Sequence, residues 1–183
     1  MQPASADINT LDKFKPDLSL ALYNTKVDVV GNHLSGLLLI KSLTDHSTRL
    51  VFSNEMGYTY FDFEFDSSGN FKVHSIIKQM DKRSVLKTLR KDLELVLMNT
   101  LDKSGVSIRS SDNFVYFIFP RSKGFNYYIT DSTGNQLLRM ERASNKKTVV
   151  EAIMKNYVNG VPDTIGITHK NFDFTIGLKR IER

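Results

Sequence analysis

Cysteine is absent from this chain of 183 residues. That excludes a disulfide framework, a thiolate nucleophile, a thiolate zinc site and an iron–sulfur cluster. Long apolar runs are absent as well: no stretch approaches the roughly 18–20 consecutive apolar residues of a membrane-crossing helix. The start, Met1-Gln2-Pro3-Ala4-Ser5-Ala6-Asp7, has no charged segment followed by an apolar one, so it is not a secretory leader. As written the chain would stay in the cytoplasm. The same small, polar, tether-like start equally fits a mature exported protein whose leader was replaced by an initiator Met.

Catalytic signatures are missing too. His33, His46, His74 and His169 are scattered, with no HExxH and no pair at ligand spacing, so no metal site is expected. A Gly-x-Ser-x-Gly elbow, a P-loop and Gly-x-Gly-x-x-Gly do not occur. No enzyme and no cofactor is expected; a hydrolase would need residues dispersed through the chain.

What is present suits one domain with a substantial core, since 40% of the residues are hydrophobic. Lys plus Arg number 25 against 20 Asp plus Glu, a net charge of +5 and a pI near 9.3. This mild surplus fits an anionic lipid surface or nucleic acid, and fits equally a basic protein with neither partner. No internal repeat, low-complexity segment or dividing linker is visible. Residues 1–16 read as an N-terminal tether with a turn or two of helix around Asn9 to Phe14, and 17–183 as a single domain.

The most informative run is Tyr58 to Asp66, YTYFDFEFD. Strict alternation sends Phe61, Phe63 and Phe65 to one side of a strand and Tyr60, Asp62, Glu64 and Asp66 to the other. Similar strand runs precede and follow it, joined by short links such as Gly31-Asn32, Asn54-Glu55-Met56-Gly57 and Ser67-Ser68-Gly69-Asn70. Gly, Asn, Asp and Ser there favour tight hairpins, hence an antiparallel meander. The period changes once, from Asp81 to Met98, where Val85, Leu86, Leu89, Leu93, Val96 and Leu97 form one stripe and Lys87, Arg90, Lys91 and Glu94 lie opposite. Asp81 is the expected N-cap. Strand signals then resume from Val106 to Ile181; Thr148 to Tyr157 also fits a helical stripe but reads as strand. The expected fold is α+β, mainly β: a strongly curved antiparallel sheet, an unclosed half-barrel of about 11 strands, partly covered by one amphipathic helix.

Such a sheet has an inner face that one helix covers only in part. Leu37, Leu39, Phe61, Phe63, Phe65 and Phe71 are expected to line it, with Phe114, Tyr116, Ile118, Phe172 and Phe174 from the later strands and Leu89 and Leu93 from the helix. The inner face either packs on itself or leaves a cavity for an apolar guest; each buried acyl methylene contributes about 0.8 kcal/mol. Asp62, Glu64 and Asp66, about 7 Å apart along the strand, fall in the range of glycosidase pairs, but share a polar face and read as solvated. Lys87, Arg90 and Lys91 would contact an anionic membrane or acidic partner, or form a solvated helix face. Aromatic stripes that alternate with acids as often as with bases argue against nucleic acid. Met56, apolar at a hairpin tip, is a candidate membrane or partner probe.

The order of five strands, a helical excursion and further strands closing with Val161-Pro162-Asp163-Thr164-Ile165-Gly166-Ile167-Thr168-His169 and Phe172-Asp173-Phe174-Thr175-Ile176 resembles the lipoprotein-carrier fold of the LolA and LolB type. Gly36 to Lys41, Val51 to Gly57 and Phe61 to Phe65 are similar to uncharacterised bacterial envelope lipoproteins. The resemblance implies an unclosed β-barrel covered by helices and enclosing a cavity for acyl chains. It further implies binding or handling of lipid or lipoprotein acyl chains at the periplasmic side of the outer membrane, with a lipidated cysteine just before the present start. Met56 occupies the place of an apolar residue on a protruding loop of LolB-type receptors. A monomer is expected. The alternative is a structural or assembly lipoprotein with a filled core that acts through its surface.

Overall fold

The computed structural model describes residues 1–99 and 101–181; Glu182 and Arg183, which end the expected domain, lie outside that range. The chain opens with β1 (Gln2–Pro3) and a 3-10 helix (Ile8–Phe14). A meander follows: β2 (Leu20–Val29), β3 (Asn32–Ser42), β4 (Thr48–Ser53), β5 (Thr59–Phe65) and β6 (Phe71–Ile76). Helix α1 (Arg83–Leu97) separates it from a second meander. That one comprises β7 (Ser107–Ser111), β8 (Phe114–Arg121), β9 (Gly124–Asp131), β10 (Leu137–Ala143), β11 (Thr148–Val158), β12 (Val161–His169) and β13 (Phe174–Arg180).

All thirteen strands form one antiparallel sheet in the order β1-β7-β8-β9-β10-β11-β12-β13-β2-β3-β4-β5-β6. The two meanders join where β13 pairs with β2, Thr175 opposite Asp28 and Lys179 opposite Asn24. The count exceeds the expected eleven partly because Gln2 and Pro3 pair with Ser110 and Arg109, a bridge too short to carry an alternation signal. The segment read as a tether is therefore docked: Leu11 and Phe14 are buried in the core, and the Tyr157 hydroxyl donates to Phe14 O at 2.9 Å.

Local chemistry sets the hairpins. Asn54 Oδ1 accepts from the Met56 and Tyr58 amides, at 3.0 and 2.8 Å. Asp66 Oδ1 does the same for Ser68 and Asn70, and Asp131 for Asn135 and Gln136. Each strand-end side chain replaces the ladder bonds its turn lacks. Gly36 is required for another reason: a Cβ there would stand 2.0 Å from Ser53 O on the next strand.

Helix α1 starts two residues later than expected, with Lys82 as the cap residue and no side-chain cap, so Asp81 does not serve as N-cap. It ends at Met98, which takes left-handed φ of 51°. The connection that contains α1 runs from β6 at one edge of the sheet to β7, next to β1 at the opposite edge. It must therefore cross a sheet face, and α1 packs over β10 and β11. Leu89, Leu93, Val96 and Leu97 join Phe61, Phe63, Phe65, Phe117 and Tyr128 in one continuous core.

Candidate functional site

The C-terminal half of α1 is buried on all sides, including two acids that sequence reasoning left off the apolar stripe. Asp92, with 0% exposure, accepts a hydrogen bond at Oδ2 from His169 Nε2 at 2.7 Å. Arg142 Nη1 stands 2.9 Å from Asp92 Oδ1 but out of hydrogen-bond line. That contact is charge to charge and leaves both atoms without a hydrogen bond. One carboxylate thus fastens the helix to the side chains of β10 and β12. The Tyr128 hydroxyl adds a bond to Leu95 O at 3.2 Å, and burial pushes that phenol's pKa up strongly. The available signal was spacing: Asp92 lies three residues after Leu89 and four before Val96, within the apolar stripe. His169 and Arg142 carry no comparable signal, because only the fold brings them to the helix.

Glu94, expected on the solvent side, is also buried. It is held by Arg90 Nε at 2.8 Å and Arg121 Nη2 at 3.3 Å. The chain meets the cost of burying a charge by pairing it.

At the other end of α1 the core reaches the surface. Val29, Val30, Ser84, Val85, Thr88, Phe172 and Phe174 surround an apolar hollow of about 310 Å³. Phe172 and Val30 remain 41% and 69% exposed there. Val30 also adopts φ of 45°, a left-handed conformation uncommon for a β-branched residue. It shares the two-residue β2–β3 link with Gly31 at φ 78°, where Asn would be the usual choice. His169 joins this mouth to the buried carboxylate: its ring centroid lies 4.6 Å from that of Phe172 and 4.8 Å from that of Phe174.

The residues expected to line the inner face divide by strand. Phe61, Phe63, Phe65, Phe174, Leu89 and Leu93 are buried in the core, and Phe71 packs partly buried against it. Phe172 sits at the mouth. Leu37 and Leu39 face the other way, since Leu38 and Ile40 are the buried residues of β3. They line instead an outer groove of about 620 Å³ with Leu20, Leu22 and Val51. Phe114, Tyr116 and Ile118 are likewise on the face opposite Val115, Phe117 and Phe119. They are not inner-face residues.

On the polar face of β5 the three acids are engaged by neighbouring strands. Arg49 Nη2 donates to Asp62 Oδ2 at 2.8 Å, and His74 Nε2 lies 2.7 Å from Glu64 Oε2. Lys72 Nζ is within 3.8 Å of both Glu64 and Asp66. Met56 stands 93% exposed at the β4–β5 tip. Lys87, Arg90 and Lys91 do not simply face solvent; they line a hollow between α1 and the β8–β9 turn. Among the described residues, no cluster of His, Asp and Glu is arranged to hold a metal ion, and no helix is long and apolar enough to cross a membrane.

No protein-family model matches the sequence, and no curated protein matches it. Solved structures do. A LolA superfamily protein from Nitrosomonas europaea superposes with a TM-score of 0.60 at 9% identity, over 98% of this chain and 93% of that one. A domain from Vibrio parahaemolyticus named for outer membrane lipoprotein sorting gives 0.48 at 11% identity, over 89% and 83% of the two chains. A DUF1329 family protein from Desulfovibrio piger gives 0.47 at 11%, over 94% and 88%. The first of these likenesses shows that the fold is LolA-like.

Proposed function

We propose that this protein binds or handles the acyl chain of a lipid or lipoprotein without chemistry, at the periplasmic side of the outer membrane and lipid-anchored there. The observation that carries the reading is the apolar mouth. Exposed Val30 and Phe172 stand over Val85 and Phe174 where α1 meets the β2–β3 turn, and Phe174, Val29 and Val85 of its lining belong to or pack against a core rich in phenylalanine. Burial of acyl methylenes supplies affinity there with no special polar motif. The LolA-like fold supports the same reading, as does the sharing of one core by strands far apart in the sheet order. Aromatic residues of β5 and β8, nine places apart in the strand order, belong to one core. In a flat sheet they would be about 43 Å apart at about 4.8 Å per strand. Met56 is then the residue offered to the membrane or to a partner, and the protein works as a monomer.

The test is displacement of a fluorescent fatty acid, together with native mass spectrometry of lipid carried through purification. Phe172→Asp combined with Val30→Asp is expected to weaken binding at least about tenfold, by charging an apolar surface, while leaving far-UV circular dichroism unchanged. Absence of co-purifying lipid and of saturable fatty-acid binding would remove the reading. One observation favours a second reading, an assembly lipoprotein acting through its surface. Tyr23, Tyr128, Phe52, Phe63, Phe65 and Phe117 are all fully buried in the core, so any acyl chain has to displace the protein's own side chains. The same assay separates the two.

A further inference from the structure

The hollow beside α1 is built unlike the mouth. Its volume is about 590 Å³, and it is bounded by α1, by the β8–β9 turn, and by Asn126 and Arg142 on the sheet. Six cations line it, Lys87, Arg90, Lys91, Arg121, Lys123 and Arg142, against the single carboxylate Glu94. That carboxylate is already shared by Arg90 and Arg121, so the lysines have no acid of their own in the hollow. Lys87, Arg90, Lys91 and Glu94 recur at helical spacing, so one helix face supplies a third of the lining, including half of its cations.

The floor carries the second, independent observation. Asn126 and Arg142 are cross-strand partners on β9 and β10. Asn126 is only 6% exposed and its Oδ1 has no hydrogen-bond partner, whereas Arg142 Nη1 already stands against the Asp92 carboxylate at 2.9 Å. Buried polar groups without partners are rare and call for a reason. An Asn amide can turn to present its NH2 or its oxygen, so Asn126 can offer a donor to a bound anion. Lys91 fits the same picture: burial lowers its pKa, and Arg142, Lys87 and Lys123 add repulsion that Glu94 offsets in part. The site holds more positive charge than its surroundings neutralise.

We propose that this hollow is a binding site for a phosphate group, either a phosphomonoester or a phosphodiester. Lys87, Lys91 and Lys123 serve as the charge clamp, with Asn126 as a donor at the floor. Phosphate suits the geometry because its several oxygens accept from donors converging from three directions, and its charge complements the surplus of cations over the single carboxylate in the lining. The site is separate from the acyl-binding mouth and does not depend on it.

The experiment titrates pyrophosphate into the full chain at low ionic strength by calorimetry, with chemical-shift mapping to locate it. Saturable binding with shifts at Asn126 and in the β8–β9 turn is expected. Affinity is expected to fall by about tenfold for each lost cation in Lys91→Gln and Lys123→Gln. The charge-matched control Lys26→Gln with Lys155→Gln, both exposed elsewhere, keeps wild-type affinity. Asn126→Leu, which fills the floor without changing charge, weakens binding as well. Competition by vesicles of phosphatidylcholine containing phosphatidylglycerol, but not by phosphatidylcholine alone, identifies a lipid headgroup as the source. Without competition, the source is a soluble phosphate. No saturable binding, or equal losses in the control and the pocket variants, overturns the proposal, and neither result touches the fatty-acid assay.

Discussion

Replacing Asp92 by alanine is expected to be among the most damaging single changes outside the aromatic core. The carboxylate is fully buried, accepts one hydrogen bond from His169 and stands against Arg142. A charge-assisted hydrogen bond contributes roughly 1.5–3 kcal/mol. Breaking a buried ion pair by removing one partner costs about 3–5 kcal/mol, because the other charge is left in place. Arg142 keeps 15% side-chain exposure and regains some hydration, which puts the expected loss nearer about 3–4 kcal/mol. For a domain of this length that lowers Tm by about 10 °C. Urea unfolding followed by circular dichroism, with linear extrapolation, measures it. Asp92→Asn, which keeps an acceptor for His169, should lose about half as much. In a double-mutant cycle with His169→Ala the two losses should couple by at least about 1 kcal/mol. A loss below about 1 kcal/mol for Asp92→Ala, or no coupling, refutes the idea that this carboxylate fastens the helix.

Two further outcomes follow from buried and strained groups. Burial of the Tyr23 phenol, offset in part by Arg180, pushes its pKa up to about 12, and Tyr157 is raised for the same reason. Above pH 10 the unfolded chain releases protons that the folded chain keeps. Stability is therefore complete below about pH 10 and falls as pH rises toward 12, by at most about 1.4 kcal/mol per unit per tyrosine. Urea midpoints at pH 8, 10 and 11 measure the slope; if Tyr23→Phe leaves it unchanged, the assignment is wrong. Val30→Asn should relieve the left-handed strain and stabilise by about 1 kcal/mol while weakening fatty-acid binding. A stability loss would show that the valine is retained for packing rather than for the mouth.

How far the sequence could be read depended on whether each strand alternates. In β5 the pattern Phe61-Asp62-Phe63-Glu64-Phe65 leaves one assignment of faces, and the aromatic residues are buried as that pattern requires. In β3 the run Leu37-Leu38-Leu39-Ile40, and in β8 the run Phe114-Val115-Tyr116-Phe117-Ile118-Phe119, are apolar at every position. A one-residue shift of parity costs nothing visible there, and it exchanges the two faces. Leu37, Leu39, Phe114, Tyr116 and Ile118 were misplaced for that reason alone. The hairpins were legible because Asn54, Asp66 and Asp131 carry their own turn chemistry. The hollow beside α1 and the Asp92 contacts were not, since Arg142 and His169 lie 50 and 77 positions from the helix acid they meet.

The helix contact and the mouth together set a condition on acyl binding. If a chain enters beneath α1 it must loosen the Asp92–His169 contact, because His169 packs against the same two phenylalanines that line the entrance. A ligand shifts such an equilibrium only by its differential affinity for the open state. With about 0.8 kcal/mol for each methylene buried against roughly 1.5–3 kcal/mol for that charge-assisted hydrogen bond, roughly two to four methylenes are spent before any net affinity appears. A homologous series of fatty acids should therefore show almost no binding for the shortest members and then about fourfold tighter binding for each added methylene. Asp92→Asn should move that onset to shorter chains by about two carbons while leaving the later slope unchanged. A series that rises from the first member, with an onset unmoved by Asp92→Asn, would mean that acyl chains bind without moving the helix.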